Sequence, residues 1–157
     1  INKFLETTVK DYYFTAHFIK LMKSIINHIS KNDNKKLIEI KDVVIYKSEI
    51  ETIRSLNNLN LERISFVLLV YSKIFNQING NESNWVNSKI KDIFSETKLT
   101  IKISEQPFLL HKITNHGLIN ISHKVDCSNI HVNFVATEGE TAFKIDDFRN
   151  LVFYYLK

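Results

Sequence analysis

Apolar positions in residues 60–135 follow helical spacing three times and then change to strict alternation. The first helical stretch begins at Asn60, whose side chain can cap free backbone N–H groups, and stops before Asn79 and Gly80. Its centre, residues 66–71, is apolar on every face, which predicts a core helix enclosed by protein. A second, shorter helix is predicted from about Asn84 onward. Its apolar stripe consists of Trp85, Val86, Ile90, Ile93 and Phe94.

The third predicted helix begins at Ser104, whose hydroxyl can cap it, and ends at Gly117. Pro107 fits the first turn, because amides there lack intrahelical partners. At about 100° per residue, one side of the helix is apolar and carries Leu109, Leu110 and Ile113. The opposite side carries Phe108, His111, Lys112 and Asn115. We expect this second side to be exposed, as on a recognition helix that enters a groove of DNA.

After Gly117 the alternation predicts a β-hairpin, with turn-forming residues from Asp126 to Asn129. We expect Val125 to lie opposite Ile130. In that register His123 faces Val132 and Ile121 faces Phe134 on a buried face. The outer polar face would consist of Ser122, Lys124, His131 and Asn133.

The flanking segments predict further elements on both sides of this region. Helical spacing runs from Phe4 to Ile29, a strand is expected from Leu37 to Tyr46, and Ser48 can cap a short helix through Leu56. The C-terminal part suits a strand from Ala142 to Ile145 and a helix from Asp147 to Leu156, capped by Asp146. We therefore predict an α+β protein with three parts, residues 1–58, 59–136 and 137–157, and no clear linker between them.

The order of three helices and a hairpin resembles the winged helix-turn-helix domains of bacterial transcription regulators and plasmid or phage replication initiators. Several short pieces are also similar to uncharacterised proteins of phages and mobile elements from low-GC Gram-positive bacteria. These pieces are Glu62-Arg63, Phe66, Ser83 to Asn87, Ile93-Phe94, Lys124 to Asp126, Asp147 to Leu151 and Tyr155-Leu156. The resemblance implies a winged helix, and the patterns outside that region add a helix-strand-helix extension before it and a helix after it. It implies no assigned activity or catalytic residue.

Composition adds only mild constraints. The chain has 157 residues, 44% of them apolar, which is enough to bury a core, and no apolar run approaches the roughly 20 residues that span a bilayer. Cys127 is the single cysteine, so no internal disulfide can form, and we expect a cytoplasmic protein without membrane contact. A net charge of +4 slightly favours an anionic partner.

No motif of catalysis or metal binding is apparent. His123, Cys127 and His131 could suggest zinc ligands, but the predicted register places the two histidines on opposite faces and one ligand is lacking. As a nucleophile Cys127 would need a nearby base and a lowered pKa, and an exposed hairpin tip is poorly preorganised for both. Asp146 and Asp147 fit helix capping better than a metal site. We expect neither enzymatic activity nor a cofactor.

The functional hypothesis is binding of double-stranded DNA, with the third helix in the major groove. Expected phosphate contacts are Lys89, Lys91, Lys98, Lys102 and Lys124. Residues that could reach base edges are Gln106, His111, Lys112 and Asn115, although Gln106 leans toward the buried side. A homodimer through the terminal helices would suit a two-half-site operator. The alternative is an adaptor without DNA contact, which Phe108 on the exposed face favours, and Glu105 near the helix start would repel phosphate.

Overall fold

The computed structural model describes residues 20–29, 40, 43–124 and 127–145. Five α-helices, a short 3₁₀ turn and five strands lie within these residues, so the α+β class is confirmed. The helices are α1 (20–29), α2 (Lys47–Arg54), α3 (Leu59–Asn79), α4 (Ile90–Glu96) and α5 (Gln106–Asn115). The strands are β1 (Val43–Tyr46), β2 (Trp85–Val86), β3 (Ile119–Lys124), β4 (Cys127–Val132) and β5 (Thr141–Ile145).

Helix α3 is the predicted core helix. It begins slightly earlier than expected, because Asn58 rather than Asn60 caps it: the Asn58 Oδ1 atom accepts a hydrogen bond of 3.1 Å from the Leu61 N–H. It ends where predicted, at Gly80, whose φ of +68° is the left-handed conformation that glycine adopts without a steric penalty. All residues from 64 to 72 are buried, as the apolar character of this segment predicted.

The second predicted helix begins too early, because Trp85 and Val86 form strand β2 and only Ile90 to Glu96 is helical. A pair of asparagines explains the change of direction. The Asn84 N–H donates to Asn76 Oδ1 at 2.9 Å, and Asn76 Nδ2 donates to Asn84 Oδ1 at 2.7 Å. These bonds hold the chain against the end of α3, where it is extended enough to pair with β4. The spacings of three and four residues in this segment fit one continuous helix, so the pattern did not reveal that its first two residues form a strand.

Helix α5 has the expected end and a different beginning. Ser104 does not cap it but lies inside a 3₁₀ turn, Ile103–Glu105, that precedes the helix. Pro107 occupies the first turn, as predicted. Gly117 follows the helix with a φ of +78°, in agreement with its predicted role as the stop.

The hairpin forms, but the predicted register is wrong by four residues. Ile121 rather than Val125 lies opposite Ile130, and Ile119 lies opposite Val132. Val125 itself is outside the described residues. Cys127, Ser128 and Asn129, expected in the turn, belong to β4. Because the shift is an even number of residues, the described side chains still lie on the predicted faces of the sheet. Alternation thus determines the face of each residue but not its pairing partner.

Two small antiparallel sheets complete the fold. Strand β4 lies between β2 and β3, and β1 pairs with β5, which confirms the strand expected at residues 142–145. Buried residues of all five helices, of β1 and of the three-stranded sheet form one hydrophobic cluster. The predicted boundaries at residues 58 and 136 remain predictions, and the expected helix from Asp147 lies outside the described residues. No helix in the described ranges has the length and apolar character needed to cross a bilayer.

The buried carboxylate of Glu49 connects parts of the fold that are distant in sequence. The Glu49 side chain is fully buried, and its Oε1 accepts from the Tyr46 N–H at 2.7 Å and from Lys73 Nζ at 2.8 Å. Its Oε2 accepts from the Ala136 N–H at 2.8 Å, and Lys73 also donates to the Val44 carbonyl. Burial lowers the pKa of Lys73, while Glu49 opposes that shift. Glu49 thus joins β1, α2, α3 and the chain after β4.

A second buried carboxylate, Glu96, lies between α4 and α1. Its Oε1 accepts from Ser24 Oγ at 2.6 Å and is 3.2 Å from His28 Nδ1. The buried Tyr71 hydroxyl has no hydrogen-bond partner within the described residues. Burial raises the pKa of Tyr71, and the negative charges of Glu96 and Asp92 raise it further.

We expect Tyr71→Phe to leave stability at pH 7 unchanged or to raise it by about 1–3 kcal/mol, the usual cost of an unsatisfied buried polar group. In the parent, the raised pKa means that the unfolded state loses the phenolic proton first. The free energy of unfolding should therefore fall as the pH rises above about 10, the pKa of tyrosine in the unfolded state. The variant should lack this part of the decline. Urea unfolding at pH 7 and about pH 11 measures both effects, and a clear loss at pH 7 would contradict the expectation.

Candidate nucleic-acid interface

The exposed side of α5 is the face that the sequence predicted. Leu110 and Ile113 are fully buried against the core and Leu109 is half-buried. The opposite side carries the exposed side chains of Phe108, His111, Lys112 and Asn115. The helix therefore has one side packed on the protein and one side open to a partner.

Gln106 does not belong to this open side, and the prediction that it reaches base edges is corrected. It is the first residue of α5 and its side chain is only 9% exposed. Because the 3₁₀ turn ends at Glu105, Gln106 is the first residue of α5 and lies on the side of the helix that faces the core. The buried Gln106 amide therefore cannot reach the base edges of a DNA groove that α5 would enter.

The open side of α5 is partly apolar. Phe108 is 58% exposed, and the Lys112 Nζ atom lies 4.7 Å from the centre of its ring, within the range of a cation–π contact. Ile103, in the turn before the helix, is 80% exposed and was not singled out from the sequence. Glu105 is exposed nearby and adds a negative charge. The face thus combines basic, polar, aromatic and acidic groups.

Four of the five predicted phosphate-binding lysines are exposed. Lys89 immediately precedes α4, Lys91 lies in its first turn, and Lys98 and Lys102 lie between α4 and α5. Lys124, the fifth, is at the end of β3 opposite Cys127. Its side chain is outside the described part of the structure, so its role stays a prediction.

Lys98 has an unusual backbone conformation. Within the described residues, non-glycine residues with positive φ are Asn57 at +51°, Asn84 at +62° and Lys98 at +57°. Asparagine tolerates the left-handed region, whereas a longer side chain there costs about 1–2 kcal/mol. A strained residue that persists at an exposed position is a reason to look for function. The sequence offered no sign of this feature.

The outer face of the three-stranded sheet carries a polar cluster. Trp85 lies opposite His131, and the two rings meet edge to face with centres 5.0 Å apart. His131 Nδ1 is 2.6 Å from Asn133 Oδ1, and Asn133 Nδ2 donates to the Gly117 carbonyl at 3.0 Å. Histidine and asparagine were predicted for this outer face, but Trp85 was expected on the buried stripe of a helix.

Two open cavities lie away from α5. The larger, about 440 Å³, lies between β1, the end of α3 and residues 135–137, and Lys73 lines it. The smaller, about 370 Å³, lies beside Trp85. Within the described residues no group of three or more His, Cys, Asp or Glu side chains is placed to hold a metal ion.

Comparison with known proteins provides no family assignment. No protein-family model, no curated protein and no solved structure matches the chain.

Proposed function

We propose that the protein binds double-stranded DNA through a winged helix and acts in transcription regulation or replication initiation of a phage or mobile element. The observation that carries the proposal is the order α3, β2, α4, α5, β3, β4, with β2 paired to β4. Three helices followed by a β-hairpin are the elements of the winged helix-turn-helix domains that the sequence resembles. Helices α4 and α5 are then the helix-turn-helix pair.

The dimensions and side chains of α5 support this role. Its ten residues make a rod about 15 Å long, and the major groove, about 12 Å wide, admits an α-helix. Asn115 has the amide that pairs with adenine, and Lys112 has an ammonium group that can donate to guanine. His111 is a further polar side chain on the same exposed side.

The exposed lysines around α4 and α5 would supply the electrostatic part of the binding. Phosphate contacts orient a protein on the duplex and carry no sequence information themselves. Lys89, Lys91, Lys98 and Lys102 are suited to this role because they are exposed and lie in or beside the proposed helix-turn-helix. The test is binding of the protein to fragments of its own genetic element across a salt series. A slope of log affinity against log salt that is near zero would refute DNA binding.

Lys98 offers a sharper test of DNA binding, because its backbone conformation lowers stability while its charge should raise the affinity for DNA. We expect Lys98→Asn to retain or raise stability, by up to about 1 kcal/mol, since asparagine tolerates a positive φ. The same change should weaken binding to all DNA sequences and reduce the magnitude of the salt slope by about 0.9, the value for one lost phosphate contact. Thermal unfolding and fluorescence anisotropy measure the two effects.

Lys98→Arg is the matched control, because it keeps the charge and the backbone strain. It should bind DNA like the parent. If Lys98→Asn bound DNA with the affinity and salt slope of the parent, Lys98 would not contact phosphate, and its conformation would need another explanation.

The second candidate function is that of a protein-binding adaptor with the same fold. The exposed Phe108 and Ile103 side chains favour it, because two large apolar groups on the open side suit a protein groove. Phe108→Ala separates the two functions: it should abolish partner binding by an adaptor and have a smaller effect on phosphate-driven DNA binding. Homodimer formation through the terminal helices stays a prediction, since residues 1–19 and 146–157 lie outside the described ranges.

A further inference from the structure

The outer face of the three-stranded sheet has a second potential binding site, separate from α5. Its cavity of about 370 Å³ is lined by Asn79, Ser83, Trp85, Asn87, Ser122 and Asn129. None of these six residues is charged. Asn129 and Ser122 are direct neighbours across β4 and β3, while Trp85 lies on the neighbouring strand β2.

The indole ring of Trp85 is held in place from one side. His131 contacts it at an interplanar angle of 70°, and the His131 ring is itself 2.6 Å from Asn133 Oδ1. Asn133 is anchored in turn to the Gly117 carbonyl. Trp85 remains only half-buried despite these contacts. The result is a fixed aromatic ring at the edge of a polar cavity.

The chemistry of the cavity selects for a neutral ligand with a flat ring. Asparagine amides both donate and accept hydrogen bonds, and serine hydroxyls do the same. Within the described residues, the side chains of Asn87 and Ser122 make no hydrogen bond to the protein. The described lining residues include no cation and so do not favour a phosphate or carboxylate, whereas the ring of Trp85 favours stacking.

We propose that this cavity binds an unpaired nucleobase, stacked on Trp85 and hydrogen-bonded by Asn87, Asn129 and Ser122. A nucleobase is neutral and planar and has adjacent donors and acceptors on its edge, which an amide can pair with. Stacking of bases on aromatic side chains is a common mode of single-strand recognition. The site does not depend on α5 entering a duplex, so it can succeed or fail independently of the proposed function.

Trp85 is the only tryptophan of the chain, so its fluorescence reports directly on the site. The full-length protein is titrated with single-stranded oligo(dA) and oligo(dT), with the duplex of the two, and with deoxyadenosine and thymidine. We expect saturable quenching by at least one single strand and its nucleoside, and little quenching by the duplex. No quenching by any single strand or nucleoside would overturn the proposal.

Variants distinguish base binding from other causes of quenching. Asn87→Ala and Ser122→Ala change exposed side chains and should weaken binding of the quenching nucleoside several-fold, while Ser48→Ala, exposed and distant in sequence, should not. Trp85→Ala should weaken binding of a labelled oligonucleotide by about 5- to 150-fold, the effect of losing one stacked base, and Trp85→Phe should restore part of it. Equal quenching by a neutral disaccharide would instead indicate a carbohydrate site and refute nucleobase binding.

Discussion

Glu49→Ala is expected to lower the free energy of unfolding by about 3–5 kcal/mol, the cost of leaving one charge of a buried pair without its partner. Glu49 is fully buried and the Lys73 side chain is only 10% exposed, so water replaces the lost carboxylate poorly. The N–H groups of Tyr46 and Ala136 would lose their acceptor as well. Urea denaturation of parent and variant at pH 7 measures the difference.

Two further variants test the cause of this loss. The exposed pair Lys47–Glu140 has a comparable distance of 2.7 Å, yet its side chains are 39% and 73% exposed. Lys47→Ala should therefore change stability by no more than about 1 kcal/mol. Replacing Glu49 by Leu and Lys73 by Met together should recover the part of the loss that comes from the unpaired Lys73 charge, because a buried ion pair can be exchanged for apolar groups at little cost. A double variant as unstable as Glu49→Ala would show that the backbone hydrogen bonds matter more than the charges.

Elements with a long apolar pattern were predictable from the sequence, and their ends depended on side-chain hydrogen bonds. Residues 64–72 are buried as the pattern of α3 predicted, but the cap moved to Asn58 because its side chain reaches the Leu61 amide. The end of α5 was predictable because Gly117 adopts a positive φ that favours glycine. Its beginning was not, since 3₁₀ turns are frequent at the start of α-helices and a turn of three residues is too short to show its own period.

Contacts between distant segments account for what the sequence could not show. Trp85 was assigned to a helix because nothing in its own neighbourhood reveals pairing with β4, 46 residues further on at His131. The exposed side of α5 could be predicted from periodicity, whereas the buried position of Gln106 depends on where the helix begins. Glu49 attracted no notice, because a lone glutamate on a short helix is ordinary until Lys73 and Ala136 are folded against it.

The charges beside α4 and α5 lead to the prediction with the largest effect on binding. Replacing Lys91, Lys98 and Lys102 together by Ala should reduce the magnitude of the salt slope by about 2.7, at about 0.9 for each phosphate contact. Near 0.15 M salt this corresponds to a loss of affinity on the order of 10²-fold for any DNA sequence. All three side chains are exposed, so the fold should persist.

The matched control replaces Lys20, Lys23 and Lys47 by Ala, which removes the same net charge from other parts of the protein. Long-range attraction to DNA depends on total charge and is screened beyond about 8 Å at physiological salt, so this control should keep most of the affinity and slope. Similar losses in both triple variants would mean that binding follows net charge and has no defined interface. A loss confined to the first variant would place the phosphate contacts beside α4 and α5, because only local contacts depend on which lysines are removed.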